Sequence, residues 1–175
     1  MPRQPAAVQS TSPGHARHDH GVCVETLLDR ARQTFDDKGL KLTTLRLNVL
    51  AEIAASHDAM GAYDVIARLA AKTGAKLAPI SVYRAIDALL EAGLVHRLES
   101  KNAYFACHAP HTGTQRHIAL VCEACLRVVE VPGAGVYGLI EAAGAAKDFV
   151  LRSAVAEGVG RCAACRAYDQ KAVPQ

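Results

Sequence analysis

The feature that most constrains this chain is a pair of Cys-x-x-Cys motifs in its last third. Cys122 and Cys125 form the first motif, Cys162 and Cys165 form the second, and residues 126–161 separate them. Each short turn places two sulfurs on one side of the backbone, so two turns together supply the four ligands of a closed, tetrahedral zinc site. The motifs therefore predict a structural zinc that ties the start of a C-terminal unit to its end.

Two alternatives exist for these cysteines: a redox-active pair, or two unrelated turns. A thioredoxin-like motif opens a helix directly after a strand, and neither motif is predicted to do so. A zinc deaminase would need a His-x-Glu motif and a Pro-Cys-x-x-Cys motif, but residue 161 is Arg and the sequence contains no His-x-Glu. Because the chain also has no recognisable nucleophile and base, we do not expect an enzyme.

The composition is that of a globular protein with one or two small domains. The chain has 175 residues, of which 50% are hydrophobic and 21% are charged. It has no apolar run of membrane-spanning length and no signal-peptide pattern, so we expect a cytoplasmic protein with reduced thiols. The net charge of +3 does not establish nucleic-acid binding, but it permits binding if the basic groups share one face.

Residues 79–93 have the pattern of a short amphipathic helix with defined ends. The apolar stripe consists of Val82, Ile86, Leu89 and Leu90. Ser81 is the predicted N-cap, and Gly93 is the predicted left-handed residue after the last turn. Tyr83 and Arg84 lie off the stripe near the N-terminal end, as base-reading residues do in a recognition helix. A solvated surface helix with one Arg has the same pattern, so context must decide.

The neighbouring segments supply that context. The helices predicted before this segment span residues 24–38, 42–55 and 62–71. After it, residues 94–99 and 103–106 are two strand-like runs joined by a polar turn, which is typical of a β-hairpin. Helices that end in a helix-turn-helix and precede a two-stranded hairpin describe a winged-helix DNA-binding domain.

A loop rich in His, Pro, Gly and Thr marks the predicted domain boundary. We expect a disordered tail (residues 1–21), a winged helix (22–106), a hinge (107–116) and a C-terminal α+β unit (117–175). The C-terminal elements predicted are strands at 117–121, 128–131 and 149–155 and a helix at 136–147. A unit of this size rarely has a stable core of its own. We therefore expect a metal or a partner chain to stabilise it.

A second group of possible metal ligands lies on both sides of the hinge. Its members are His96 on the hairpin, Cys107 at the hairpin's end, His117 in the next strand and Glu130 in the strand after that. Each residue alone has an ordinary structural explanation. Together, two imidazoles, a thiolate and a carboxylate would neutralise a divalent cation, and the sulfur favours Zn²⁺ over Fe²⁺ or Mn²⁺. His108 and His111, within the hinge, are alternative imidazole ligands.

Several motifs, in one order, resemble the ferric uptake regulator family. They are Leu42-Thr43-Thr44-Leu45-Arg46, Ala62-Tyr63-Asp64, the segment from Ser81 to Asp87, the segment from Leu94 to Ser100, and His117 followed by the two Cys-x-x-Cys motifs. The resemblance covers residues 24–168. Within the family, His96 and Cys107 are most similar to the zinc uptake regulator branch.

The resemblance implies a homodimeric repressor that binds operator DNA when a regulatory zinc site is filled and that controls zinc uptake genes. It implies two zinc ions per chain, one held by the four cysteines and one by the four residues around the hinge. Tyr63 and Arg84 match positions that contact DNA, with Tyr83 and Ser81 beside Arg84. The alternatives are an iron, manganese or peroxide sensor of the same family, and a zinc-stabilised interaction protein that never binds DNA.

Overall fold

The computed structural model describes residues 20–55, 58–107 and 116–172. The elements are α1 (His20–Asp37), α2 (Thr44–Ala54), α3 (Ala62–Thr73), α4 (Pro79–Ala92), β1 (Val95–Leu98), β2 (Ala103–Ala106), β3 (His117–Cys122), β4 (Val128–Pro132), α5 (Ala134–Ala145), β5 (Glu157–Gly160) and α6 (Ala163–Ala172). A 3₁₀ turn, Glu99–Lys101, joins β1 to β2. Among these helices, none combines the length and the apolar character that a membrane span requires. Residues 1–19 of the predicted tail lie outside the described residues, and α1 begins at His20, before its predicted start.

Helices α1 to α4 and the β1–β2 hairpin pack around one apolar core. The largest fully buried side chains of this core include Phe35, Leu50, Ile53, Leu69, Ile86, Leu89 and Leu94. Helix α4 lies against α2 and β1, so the apolar stripe predicted from the sequence faces the centre of the domain. The strands β1 and β2 are antiparallel, with His96 opposite Phe105. The predicted winged-helix architecture is confirmed.

The two ends of α4 differ in how well the sequence predicted them. Gly93 has a φ of 74° and ends the helix, as expected. The prediction that Ser81 is the N-cap was wrong, because the helix begins at Pro79 with Ala78 as its N-cap. Proline suits the first helical position, where its fixed φ is already helical and its missing N–H needs no partner. The Ser81 N–H instead donates to the Ala78 carbonyl, at 2.9 Å, inside the first turn.

The C-terminal unit is a three-stranded sheet with the order β4-β3-β5. Strand β3 pairs with β4 in antiparallel fashion and with β5 in parallel fashion. Among its described residues, the only buried hydrophobic side chains are Val121, Cys122 and Tyr137. The unit therefore has little apolar core of its own, as its length predicted.

The strand predicted at residues 149–155 was wrong, and the third strand is β5 instead. Phe149 and Val150 are 65% and 89% exposed, so the apolar run that suggested a strand lies on the surface. A Cβ atom at Gly158 would lie 2.7 Å from Leu120 Cδ2, so a larger residue there would require the Leu120 side chain to shift.

A small apolar cluster joins the two units. Leu98 and Phe105 of the hairpin pack with Ala59 and Val121, next to partly buried Ala119. The backbone reinforces this contact, because the Ala59 N–H donates to the Leu126 carbonyl at 3.1 Å. The hairpin therefore lies directly against the β3 sheet.

Replacing Leu89 with Ala should lower the free energy of unfolding by about 2–5 kcal/mol, because the side chain is fully buried between α4 and its neighbours. Urea denaturation followed by circular dichroism measures this change. Ile80→Ala, on the same helix but 60% exposed, is the matched control and should change stability by less than about 0.5 kcal/mol. Equal losses in both variants would contradict the position of the core.

Candidate metal centres

The four cysteines of the two Cys-x-x-Cys motifs converge in the folded chain. Their Sγ atoms all lie within 4.8 Å of one another. The Sγ atoms of Cys125 and Cys162 are 3.9 Å apart. A tetrahedral zinc site with Zn–S bonds of about 2.3 Å requires sulfur–sulfur separations of about 3.8 Å. The cluster therefore has the ligand number, ligand type and spacing of a closed structural zinc site.

Local backbone structure aims the first two sulfurs. Cys122 ends β3, and its N–H donates to the Arg127 carbonyl at 2.9 Å. The chain then turns back through Leu126, which has a φ of 61°, and the Leu126 N–H donates to the Cys122 carbonyl at 2.8 Å. This closed turn holds Cys125 beside Cys122. The first motif is therefore a hydrogen-bonded turn at the end of β3.

The second motif corrects one argument made from the sequence. Cys162 follows β5 and Cys165 lies in the first turn of α6, so this motif does open a helix after a strand. The prediction that neither motif opens a helix after a strand was wrong for this motif. Two sulfurs from each motif converge, however, whereas a redox pair needs only one motif. The four-sulfur arrangement favours a metal.

The thiol acidities reflect the crowding of four sulfurs. Burial opposes ionisation of Cys122, but backbone N–H groups, first that of Cys162, outweigh burial and lower its pKa to about 6. Next to it, the sulfur of Cys162 raises the pKa of Cys165 to about 12. One thiolate forms readily while another is suppressed, because hydrogen bonds favour the charged form of Cys122 and the neutral form of Cys165. A divalent cation at the centre of the cluster removes this conflict.

A second cluster contains three of the four residues predicted around the hinge. His96, Cys107 and Glu130 offer ligand atoms that all lie within 4.8 Å of one another. The Nε2 atom of His96 is buried and lies 3.5 Å from a Glu130 carboxylate oxygen. Imidazole, thiolate and carboxylate together match the ligand preferences of zinc and balance its charge. The cluster connects the hairpin to β4.

Cys107 is fixed from both sides of its backbone. It is only 1% exposed, and its N–H donates to the Leu94 carbonyl at 3.0 Å. Its carbonyl accepts a hydrogen bond from the Arg30 guanidinium of α1. No pattern in the sequence identifies Arg30, because the two residues are far apart in the chain. The two hydrogen bonds hold the Cys107 backbone in place beside His96 and Glu130.

The structure does not bring His117 into this three-residue group. His117 begins β3 and lines, with His96 and Glu130, a cavity of about 930 Å³ between the two units. The other imidazole candidates, His108 and His111, lie outside the described residues. The identity of a fourth ligand therefore stays a prediction.

The residues predicted to contact DNA differ in exposure. Arg84 is exposed on the outer face of α4, and Tyr63, at the start of α3, is 73% exposed. Tyr83 is half-buried and packs against the core, and Ser81 is also half-buried. Arg84 and Tyr63 are therefore the two side chains of this set that are best placed to reach a partner.

The fold and its two ligand clusters define a metal-binding winged-helix protein. Residues 37–155 match the ferric uptake regulator family, and the chain belongs to that family. It is 37% identical over 142 residues to the zinc uptake regulation protein of Escherichia coli (strain K12). The aligned region covers 81% of this chain and 82% of that protein. The family resemblance identified from the sequence motifs is confirmed.

Solved structures agree with this assignment. A zinc uptake regulator complexed with zinc and DNA has a TM-score of 0.79 at 34% identity, covering 84% of this chain and 97% of that chain. The crystal structure of holo XcZur has a TM-score of 0.72 at 34% identity, covering 81% of this chain and 98% of that chain. The likeness therefore extends over both the winged helix and the C-terminal sheet.

Replacing Cys125 with Ser should lower the bound zinc by one ion per chain and unfold the C-terminal unit, because the metal substitutes for an apolar core. Metal analysis and thermal denaturation measure the two effects. Cys23→Ser, a half-buried thiol in α1, is the matched control and should retain full zinc content. If the zinc content and the melting temperature of Cys125→Ser were unchanged, the prediction that this cluster stabilises the fold through zinc would be contradicted.

Proposed function

We propose that this chain is a zinc-responsive transcriptional repressor, acting in the cytoplasm on operator DNA of zinc uptake genes. The observation that carries the proposal is the mixed ligand cluster of His96, Cys107 and Glu130, which joins the winged helix to the sheet. Family membership supports a regulator over an enzyme. The similarity to a zinc uptake regulation protein and to a regulator complexed with zinc and DNA supports zinc and DNA as the two ligands of this chain.

The proposed mechanism is a metal-dependent orientation of the winged helix. His96 and Cys107 belong to the hairpin side of the hinge, and Glu130 belongs to β4. These three residues would hold a cation between the two units, which would restrict the angle between them, so that more molecules would present α4 in the orientation that DNA requires. Such coupling between two sites typically amounts to about 1–3 kcal/mol, or 5- to 150-fold in affinity.

The ligand chemistry favours zinc over the other metals that this family's fold can sense. Cys107 supplies a soft thiolate, whereas Fe²⁺ and Mn²⁺ sites are richer in oxygen ligands. With the cysteine cluster, the chain would hold two zinc ions, one structural and one regulatory. His117 is our candidate for the remaining ligand of the regulatory site, because it lines the same cavity as His96 and Glu130.

The C-terminal unit is the proposed dimerisation domain. Its large exposed apolar side chains are Leu120, Leu126, Val129, Val136, Leu139, Phe149, Val150, Val155, Val159 and Tyr168. Leu139, an apolar residue on α5, is 73% exposed. The described residues of the unit bury few apolar side chains, so its exposed apolar surface is large relative to its core. A second copy of the chain would cover such a surface, because an exposed apolar patch of this kind is typical of an interface.

The DNA-facing surface is proposed to centre on α4. Arg84 presents a guanidinium that can bind a guanine edge in the major groove with two hydrogen bonds. Tyr63, at the start of α3, flanks it. Among the nearby basic residues, Lys72 already forms an ion pair with Glu52. Lys41, Lys76 and Lys101 are therefore the stronger candidates for phosphate contacts.

Operator affinity measured against buffered zinc, iron and manganese in turn tests this proposal. Zinc should tighten binding most, and Cys107→Ser should abolish that response while leaving a folded dimer with its structural zinc. The wild-type protein and Cys23→Ser should respond fully. An unchanged zinc response in Cys107→Ser would remove this thiol from the regulatory site. A stronger response to iron or manganese would favour the alternative sensors.

Replacing Arg84 with Ala should weaken binding to the preferred operator by about 1–3 kcal/mol and relax selectivity at one base pair, because a paired hydrogen bond to a base edge is lost. Competition binding with operators changed at single positions measures both effects. Arg68→Ala, on α3, is a control that removes one positive charge. If the two variants lost affinity equally at every operator position, Arg84 would contact phosphate and not a base.

A further inference from the structure

The sheet presents two carboxylates to the hairpin, and only one of them belongs to the metal cluster. Ala119, on the central strand β3, pairs with Glu130 on β4 and with Glu157 on β5. Directly paired residues of neighbouring strands point to the same face of a sheet. Glu130, Ala119 and Glu157 therefore form one row across the sheet, with a small residue between two acidic ones.

Glu157 contacts the tip of the hairpin directly. One of its carboxylate oxygens accepts a hydrogen bond from the Glu99 N–H at 2.6 Å, and the other accepts one from the Ser100 N–H at 3.0 Å. Burial alone would raise the pKa of Glu157, but hydrogen bonds from Ser100 and from the Glu99 backbone lower it below the usual range. The carboxylate therefore stays charged at neutral pH and binds two consecutive backbone donors.

The spacing of the two carboxylates matches the spacing of their targets. Neighbouring strands lie about 4.8 Å apart, so Glu130 and Glu157 are about 10 Å apart across the row. His96, which meets Glu130, and Glu99, which meets Glu157, are three residues apart in an extended segment, again about 10 Å. Between them, Ala119 packs against the apolar cluster that contains Leu98 and Phe105. The hairpin is thus held at two points with an apolar contact between them.

We propose that Glu157 is a positioning residue for DNA binding, a metal-independent latch that holds the hairpin tip while the metal cluster holds its base. One fixed point leaves the winged helix free to rotate about that point. Two points about 10 Å apart leave only rotation about the line that joins them, and the hydrogen bond from the Ala59 N–H to the Leu126 carbonyl restricts that rotation. The metal can therefore orient the winged helix only when Glu157 is also in place. This inference rests on the proposed function for its DNA readout, but not for its structural readout.

The structural test compares Glu157→Gln with Glu141→Gln, a matched control on the same unit whose partner is Arg116. NMR hydrogen exchange in the full-length, zinc-loaded protein reports the Glu99 and Ser100 amides. Glu157→Gln should speed their exchange about 10-fold, the factor expected for losing a hydrogen bond to a charged group. Glu157→Ala should speed it further. Equal exchange in Glu157→Gln, Glu141→Gln and wild type would overturn the latch.

The functional test measures operator affinity at saturating zinc. Glu157→Gln should bind about 5-fold or more weakly than wild type with unchanged zinc content, whereas Glu141→Gln should bind normally. Faster amide exchange with unchanged operator affinity would overturn the positioning role. If even the wild-type protein bound no operator with zinc, the proposed function would fail, and amide exchange would still decide whether the latch exists.

The metal independence of the latch has its own test. In Cys107→Ser, the Glu99 and Ser100 amides should remain as protected as in wild type, because their acceptor is Glu157 and not the metal cluster. Loss of that protection in Cys107→Ser would show that the latch forms only with the metal, and would overturn a metal-independent contact.

Discussion

The C-terminal unit depends on the convergence of four cysteine sulfurs. It buries only Val121, Cys122 and Tyr137 among the large or sulfur-containing side chains that its described residues provide, which is too little apolar surface to fix a sheet. The four-cysteine cluster joins the end of β3 to the start of α6, and a metal held there would stand in place of a core. Such a closure would add to the parallel pairing that holds β5 beside β3.

The sheet that this cluster supports is also the surface on which the winged helix rests. Strand β3 contributes Ala119, a residue small enough for Leu98 and Phe105 to approach, and its two neighbours contribute one carboxylate each. Glu130 takes part in a mixed-ligand cluster, and Glu157 accepts two backbone hydrogen bonds. A single row of residues across the sheet therefore connects the mixed-ligand cluster to the Glu157 contact, and the central strand β3 of that row ends at Cys122 of the four-cysteine cluster.

Much of this architecture was accessible from the sequence because it is encoded locally. The helical period of Val82, Ile86 and Leu89 predicted the buried face of α4, and Gly93 predicted its end. Two predictions failed for specific reasons. Pro79 displaced Ser81 at the start of α4, and the apolar run around Val150 has the residue types of a strand although it lies exposed on the surface.

By itself, the sequence predicted the ligand chemistry: four cysteines in two short turns, and two histidines, a thiol and a carboxylate on both sides of a hinge. Residue type and spacing suffice for that, because metals select ligand atoms. Only the tertiary structure decided which groups meet. Arg30 reaches the Cys107 carbonyl, and Glu157 reaches the hairpin tip. Both contacts use backbone groups as partners, and every residue has the same backbone groups, so no side-chain pattern in the sequence could identify them.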